Sequence, residues 1–240
     1  MGEKTVRYKM KIDLNNWSTR LLCLFFATDL VFICIHLIHI YTSFAPSYLF
    51  SIEEERSYAD IYQYIKEYWI VIGLGFVLLK RYSTLYLGWF LLFVYVLLDD
   101  TVQIHEKVGK MISDHLNFVP MFDLRAVDFG ELLVTACAGL FFLIFIGTAY
   151  RFGDRFSRGI SRSLIRMILV LALFGIFFDM VHVAIGSPTF KPILGLLEDG
   201  GEQVVMSVIA WFVLFLPERL QLANFSDSKK VREEALTINH

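Results

Sequence analysis

Two stretches of the chain place acidic residues, a histidine and a glycine in the same order at the end of an apolar run. The shared residues are Asp99, Asp100, His105 and Gly109 in the first copy, and Asp179, His182 and Gly186 in the second. In both copies the glycine follows the histidine by four residues, and an Asp-x-Gly-Glu pattern follows later, at residues 128–131 and 199–202. Two matching halves in the same order indicate duplication of a helical hairpin.

The acidic and histidine residues of the two copies have side chains that bind divalent transition metals. Imidazole and carboxylate ligands suit Zn²⁺, Fe²⁺ or Mn²⁺, and the absence of cysteine ligands disfavours a thiolate site. The expected ligands of one or two such ions are Asp100, His105, Glu131, Asp179, His182 and Glu202. The candidate catalytic residues, expected to orient the imidazoles or to act as a general base, are Asp99, Asp128 and Asp199.

The two copies differ in how their acid and histidine are spaced. Asp179 and His182 are three residues apart, so they share one face of a helix and can bind one ion together. Asp100 and His105 are five residues apart, about 140° around an ideal helix, and cannot do so. Either the helix unwinds near residues 101–103, or His105 serves a second ion or another role. The sequence leaves open which member of the aspartate doublet points inward.

The first part of the chain carries a candidate third copy. Asp29, His36 and His39 lie in the first apolar block, and Glu67 precedes the second. Neither a glycine nor an acidic partner of Glu67 stands at the matching spacing. The sequence leaves several roles open for the two histidines: additional metal ligands, a proton relay, axial ligands of a haem, or hydrogen-bond partners between helices.

The apolar blocks predict the elements that carry these residues. The chain has 240 residues, a mean hydropathy of +0.57 and only 19% charged residues, too few to cover a soluble domain of this size. Its apolar blocks are Leu21–Tyr41, Tyr68–Leu79, Leu85–Leu98, Leu132–Tyr150, Leu164–Phe178 and Val204–Leu216. The expected fold is an all-α polytopic membrane protein with six transmembrane helices, built from two clear parallel hairpin repeats and the candidate third.

The distribution of lysine and arginine predicts the orientation in the membrane. With a cytoplasmic N-terminus, the inner segments hold sixteen of these residues and the outer segments six, which is the bias typical of cytoplasmic loops. We therefore expect a cytoplasmic N-terminal segment at 1–20, a transmembrane domain at 21–218 and a cytoplasmic tail at 219–240. The repeated acidic ends then face the outer side. The short loops favour a bacterial inner membrane.

The shortness of the third block places its acidic end inside the membrane. Leu85–Leu98 has fourteen residues, which form about 21 Å of helix, whereas the hydrocarbon region is about 30 Å thick. Asp99 and Asp100 are therefore expected in the outer hydrocarbon region or in a water-filled depression there. A carboxylate at that depth is costly unless it is paired, protonated or bound to a cation.

These expectations favour a membrane-embedded metal enzyme, a hydrolase or oxidase that acts on a lipid or another apolar substrate. The alternative is a cation or proton transporter or channel that uses the same acidic and histidine residues. Two further interpretations are a structural or signalling subunit whose acids bind a partner's basic segment, and purely structural hydrogen bonding between helices. The net charge of −2 and the absence of a basic recognition motif argue against nucleic acid as a partner.

Overall fold

The computed structural model describes residues 16–120, 125–184 and 190–220, and every regular element within them is helical. The α-helices are α1 (Trp17–Tyr41), α2 (Tyr58–Lys80), α3 (Thr84–Val102), α4 (Ile104–Leu116), α5 (Ala126–Phe152), α6 (Arg155–Ala172), α7 (Asp179–Ala184) and α8 (Lys191–Leu214). A 3-10 turn at Tyr48–Phe50 precedes α2, and a π-helical turn at Leu173–Phe178 joins α6 to α7. Gly186, most of the predicted N-terminal segment and nearly all of the predicted tail lie outside the described residues.

Five helical stretches of the described residues are long and apolar enough to cross a membrane. They are Trp17–Tyr41, Thr84–Val102, Ala126–Phe152, Arg155–His182 and Pro192–Leu220. The prediction of an all-helical fold with several membrane-spanning helices is therefore confirmed at this level. The helix α2 has 23 residues but is not among the five, and it carries Lys66 and Glu67 near its middle.

The helix α8 lies at the centre of the bundle. It packs against α1, α2 and α6, and its side chains Met206, Ile209 and Val213 are buried. Ile70 and Leu74 of α2 enter the same core, and α3 packs between α2 and α5. In a lipid environment such a core is held by close packing between side chains rather than by exclusion of water.

The helix breaks between the first repeated acids and their histidine. The helix α3 ends at Val102, Gln103 adopts the left-handed conformation (φ 59°, ψ 54°), and α4 starts at Ile104. The backbone N–H of His105 donates to the Asp99 carboxylate at 2.8 Å, which satisfies a free donor at the start of α4. Of the predicted alternatives, the structure therefore shows the one in which the helix unwinds before the histidine.

The repeated glycine of the first copy is explained by a close crossing of α4 and α5. A Cβ atom on Gly130 would lie 2.0 Å from the backbone oxygen of Gly109, and one on Gly109 would lie 2.5 Å from the backbone nitrogen of Glu131. Only glycine at both positions permits this approach. In the second copy Gly201 instead lies against the ring of Phe174 on the π-helical turn. The glycine of the Asp-x-Gly-Glu pattern therefore contacts helix backbone in the first copy and an aromatic side chain in the second.

Contacts at the two ends of the bundle indicate that successive long helices alternate in direction. At one end, the side chain of Gln103 donates to Glu55 in the segment between α1 and α2. At the opposite end, Arg81 after α2 donates to Asp154 between α5 and α6 at 3.0 Å. The described acidic and histidine residues of both copies therefore lie at the end that carries Gln103.

Candidate functional site

Each of the two predicted copies contributes one histidine that contacts a carboxylate. His105 Nδ1 lies 3.0 Å from Asp99 Oδ2, and His182 Nδ1 lies 2.8 Å from Glu198 Oε2. Both contacts engage Nδ1, so an ion or substrate would meet Nε2 of each ring. A carboxylate on the far nitrogen is the usual device that orients a metal-binding histidine. The carboxylates in these contacts are Asp99, for which the sequence analysis predicts an orienting role, and Glu198, which it did not include among the site residues. The orienting role itself stays a prediction.

The charge of His105 is set by the same contact. His105 lies on α4, outside the five apolar stretches, and the Asp99 carboxylate raises the pKa of its imidazole to about 9 against the opposing effect of burial. The imidazolium form therefore predominates at neutral pH. A metal ion at this ring would have to displace a proton, because a histidine binds metal only in its neutral form.

Asp179 interacts with the histidines of both copies. Its carboxylate interacts electrostatically with His182 of its own copy and with His105 of the other copy. Glu131 of α5 also acts on His105. Four of the six predicted ligands, His105, Glu131, Asp179 and His182, therefore belong to one group, which we call the histidine cluster.

The other two predicted ligands, Asp100 and Glu202, are the acidic neighbours of Glu67 on α2. Glu67 has no exposed surface, and neither of its carboxylate oxygens has a hydrogen-bond partner. The side chain of Gln63, one helical turn earlier, interacts with both Asp100 and Glu202. We call Gln63, Glu67, Asp100 and Glu202 the carboxylate cluster.

Lys66 lies next to Glu67 in sequence but is bound elsewhere. Its ammonium group donates to Asp29 Oδ1 at 3.1 Å, to the backbone oxygen of Gln203 at 2.7 Å and to Ser207 Oγ at 3.2 Å. Ser207 in turn donates to Asp29 Oδ2 at 2.7 Å. These buried contacts join α1, α2 and α8. Lys66 and Asp29 therefore form a balanced ion pair, a pairing that the sequence analysis did not predict.

Asp128 and Asp199, the remaining candidate catalytic residues, have different surroundings. Asp128 is buried and paired with Arg125, whose guanidinium lies 2.7 Å from it, and it caps the start of α5. Asp199 instead has acidic neighbours, with Glu198 and Glu202 the strongest of them. The strongest interactions of Asp199 therefore include no cation, whereas Asp128 is paired with Arg125.

The two histidines of the candidate third copy hold the segment that follows α1. His36 Nδ1 accepts from the backbone N–H of Ile52 at 3.2 Å, and its Nε2 lies 3.6 Å from Glu53. His39 Nδ1 lies 2.6 Å from the backbone oxygen of Ala45. These contacts join α1 to the loop that leads to α2. His36 is fully buried, as are Asp29 and Glu67 of the same candidate copy.

Within the ranges that the structure describes, no group of three or more His, Cys, Asp or Glu side chains is arranged to hold a metal ion. The divalent metal therefore stays a prediction. The sequence analysis also missed Gln63 and Lys66 as members of this region. The signal that could have found Lys66 is its position beside Glu67 inside an apolar helix, because two adjacent charges there require partners on neighbouring helices.

Comparison with known proteins gives one match. A family model described as a domain of unknown function (DUF8692) matches residues 24–217. The match covers α1 from residue 24 onward and all of the helices from α2 to α8. No curated protein and no solved structure is similar to the chain.

Proposed function

The chain belongs to the DUF8692 family, and we propose that it is a membrane enzyme that uses one or two divalent transition-metal ions, Zn²⁺, Fe²⁺ or Mn²⁺, at the outer ends of its helices. The reaction is a hydrolysis or an oxidation of a lipid or another apolar substrate. The site combines the histidine cluster with Asp99, Glu198 and Asp199.

The proposed topology has six membrane spans with both termini in the cytoplasm, in a bacterial inner membrane. The helix α2 is taken as the sixth span because it packs against α3 and α8, two of the candidate spans, and because Lys66 and Glu67 in its middle are buried in protein rather than exposed to lipid. The excess of lysine and arginine at the end with Arg81 supports a cytoplasmic location for that end. The two helix pairs would then be parallel repeats with their acidic ends outward.

The observation that carries the proposal is the arrangement of the two histidines. Each is oriented through Nδ1 by a carboxylate, at 3.0 Å for His105 and 2.8 Å for His182, and the two come from different helix pairs that Asp179 links. The acids around them outnumber the histidines, so their negative charge requires a cation or protons. A purely structural network would repel itself without such a charge.

The roles of the residues follow from their positions. Asp99 and Glu198 hold the imidazoles so that Nε2 is presented to the ion, and Glu131 and Asp179 add carboxylate oxygens. A bound ion of this class would polarise the substrate and lower the pKa of a water molecule to about 7. Asp199 is the proposed general base, and the charge of the bound ion would have to offset its acidic neighbours before it could accept the proton from that water. The substrate would enter sideways from the outer leaflet.

Metal analysis of the purified protein tests this proposal. We expect detergent-purified protein to contain about one or two equivalents of a transition metal, and we expect Glu131→Gln and His182→Asn to lose it while the helix content is retained. Asp114→Asn on the exposed side of α4 is the matched control, since it removes a carboxylate outside the site. A stable wild-type protein without metal, also after growth with added Zn²⁺, Fe²⁺ and Mn²⁺, would refute the enzyme proposal.

The second candidate function is cation or proton transport, and the buried pair of Asp29 and Lys66 favours it. This pair and Ser207 extend the polar groups from the helix ends towards the middle of α1, α2 and α8. Flux of protons or cations into liposomes that disappears in Asp29→Asn would support transport. Flux that is absent from the wild-type protein would exclude it.

A further inference from the structure

Glu67 is a buried carboxylate whose oxygens receive no hydrogen bond from an N–H or hydroxyl donor, and the polar group within reach of it is the carboxyl of Asp100. It has no exposed surface, and both Oε1 and Oε2 lack a hydrogen bond. A buried carboxylate in this condition is strongly unfavourable, because no water or donor replaces its lost hydration. The group must therefore either carry a proton or be balanced by a cation that the protein itself does not supply.

The neighbouring lysine cannot supply the balance. An ammonium group has three N–H donors. Those of Lys66 are directed at Asp29, at the backbone oxygen of Gln203 and at Ser207. The positive charge of Lys66 is also matched by the negative charge of Asp29. The strongest electrostatic neighbours of Glu67 are therefore two further acids, Asp100 on α3 and Glu202 on α8, and Lys66 opposes them with a weaker effect.

The atoms beside Glu67 that could bind a cation are oxygens. Asp100 and Glu202 add carboxylates, and Gln63 adds an amide that interacts with both. The histidines interact mainly with other acids, namely Asp99 and Glu198. Oxygen donors without imidazole or thiolate are the ligands of hard cations such as Mg²⁺, Mn²⁺ and Ca²⁺.

We propose that the carboxylate cluster of Gln63, Glu67, Asp100 and Glu202 is a separate site for a hard divalent cation. The inference rests on the proposed function in one respect only: it assigns Asp100 and Glu202, two of the six predicted transition-metal ligands, to a different ion. Since no three of the acidic side chains yet converge on one point, binding requires rotation of at least one carboxylate. Glu67 is the fixed ligand of the site, and its partners on α3 and α8 close around the ion.

Titration with Mn²⁺ tests the site directly. The full-length protein in detergent is stripped with a chelator, Mn²⁺ is added, and the free ion is measured by electron paramagnetic resonance. Four proteins are compared: wild type, Glu67→Gln, the double variant His105→Ala/His182→Ala, and the control Glu54→Gln, which changes an exposed glutamate. Circular dichroism and gel filtration verify folding, and Asp100→Asn replaces Glu67→Gln if the latter does not fold.

We expect Glu54→Gln to bind Mn²⁺ like the wild type. The histidine double variant would lose any Mn²⁺ held by the histidine cluster but should keep the site at Glu67, whereas Glu67→Gln should bind Mn²⁺ at that site about tenfold more weakly or worse. Mg²⁺ and Ca²⁺ should compete with Mn²⁺. Equal binding by Glu67→Gln, loss of binding in the histidine double variant, or no binding by the wild type would overturn the inference. Glu67-dependent Mn²⁺ binding in a protein that purifies without any transition metal would instead refute the proposed enzyme and leave this site standing.

Discussion

Lys66 and Glu67 are consecutive, fully buried residues of α2, but Lys66 is paired with an acid whereas Glu67 lies beside further acids. About 100° separates neighbouring side chains around a helix, and this rotation directs Lys66 to Asp29 on α1 and Glu67 to the acids of α3 and α8. The first charge is balanced inside the protein and the second is not. The stability of the bundle should therefore depend on Lys66, and its ligand binding on Glu67.

Replacement of Lys66 by methionine should destabilise the protein strongly. The change leaves Asp29 buried without its partner, and breaking one side of a buried ion pair costs about 3–5 kcal/mol. The double variant Lys66→Met/Asp29→Leu should recover much of the loss, because neither charge is then left alone. The measurement is the unfolding midpoint in detergent, with Lys110→Met on the exposed face of α4 as the control. A Lys66→Met protein as stable as the control would contradict the role of this pair.

The ion pair of His105 and Asp99 should make stability depend on pH. The carboxylate contact raises the pKa of His105 to about 9 from an ordinary value of 6.5. A raised histidine pKa stabilises the folded state fully below the unfolded pKa, and this contribution is lost as the pH rises through the folded value. Between about pH 6.5 and 9, the wild type should therefore lose stability relative to His105→Gln.

Thermal unfolding of both proteins in detergent between pH 6 and 10 measures this difference. His115→Gln, which changes the other histidine of α4, is the control and should follow the wild type. Direct titration of the His105 imidazole by nuclear magnetic resonance gives the same quantity independently. A wild-type advantage that stays constant over the whole range would show that the pair carries no such linkage.

The helices and the break after α3 could be predicted because both follow from local spacing. Each apolar block lies within one of the long helical stretches, although several blocks are shorter than the helix that contains them. The five-residue separation of Asp100 and His105 required either a break or different roles. The left-handed Gln103 provides the break. The alternation of long helices also brought the acids of both copies to one end without any knowledge of their partners.

The pairing inside the site could not be predicted, because it depends on residues far apart in sequence. Nothing local distinguishes Asp99 from Asp100, yet the turn at Gln103 gives the first to His105 and leaves the second beside Glu67. The partner of His182 is Glu198, sixteen residues away on another helix. The repeat in sequence therefore predicted a set of candidate site residues but not which of them lie next to each other.

Replacement of Gly130 by alanine should separate α4 from α5. The added Cβ atom would lie 2.0 Å from the backbone oxygen of Gly109, and backbone atoms cannot move aside as a side chain can. We expect a loss of about 1–3 kcal/mol in the free energy of unfolding. Gly139→Ala on the same helix is the matched control, because its Cβ atom would meet nothing within 4 Å. That control should gain up to about 1 kcal/mol from the higher helix propensity of alanine.

Replacement of Glu198 by glutamine should weaken metal binding although Glu198 is not itself a predicted ligand. Its carboxylate holds Nδ1 of His182 at 2.8 Å, and loss of such an orienting acid typically lowers metal affinity about 10–100-fold. The amide can still contact the ring, so folding should be retained. Competition with a chromophoric chelator gives the affinity, and Glu54→Gln, at an exposed position in the loop before α2, provides the baseline. If the two variants held the metal equally well, the contact between Glu198 and His182 would be a structural hydrogen bond between helices, and the ion would have to be sought elsewhere at this end of the bundle.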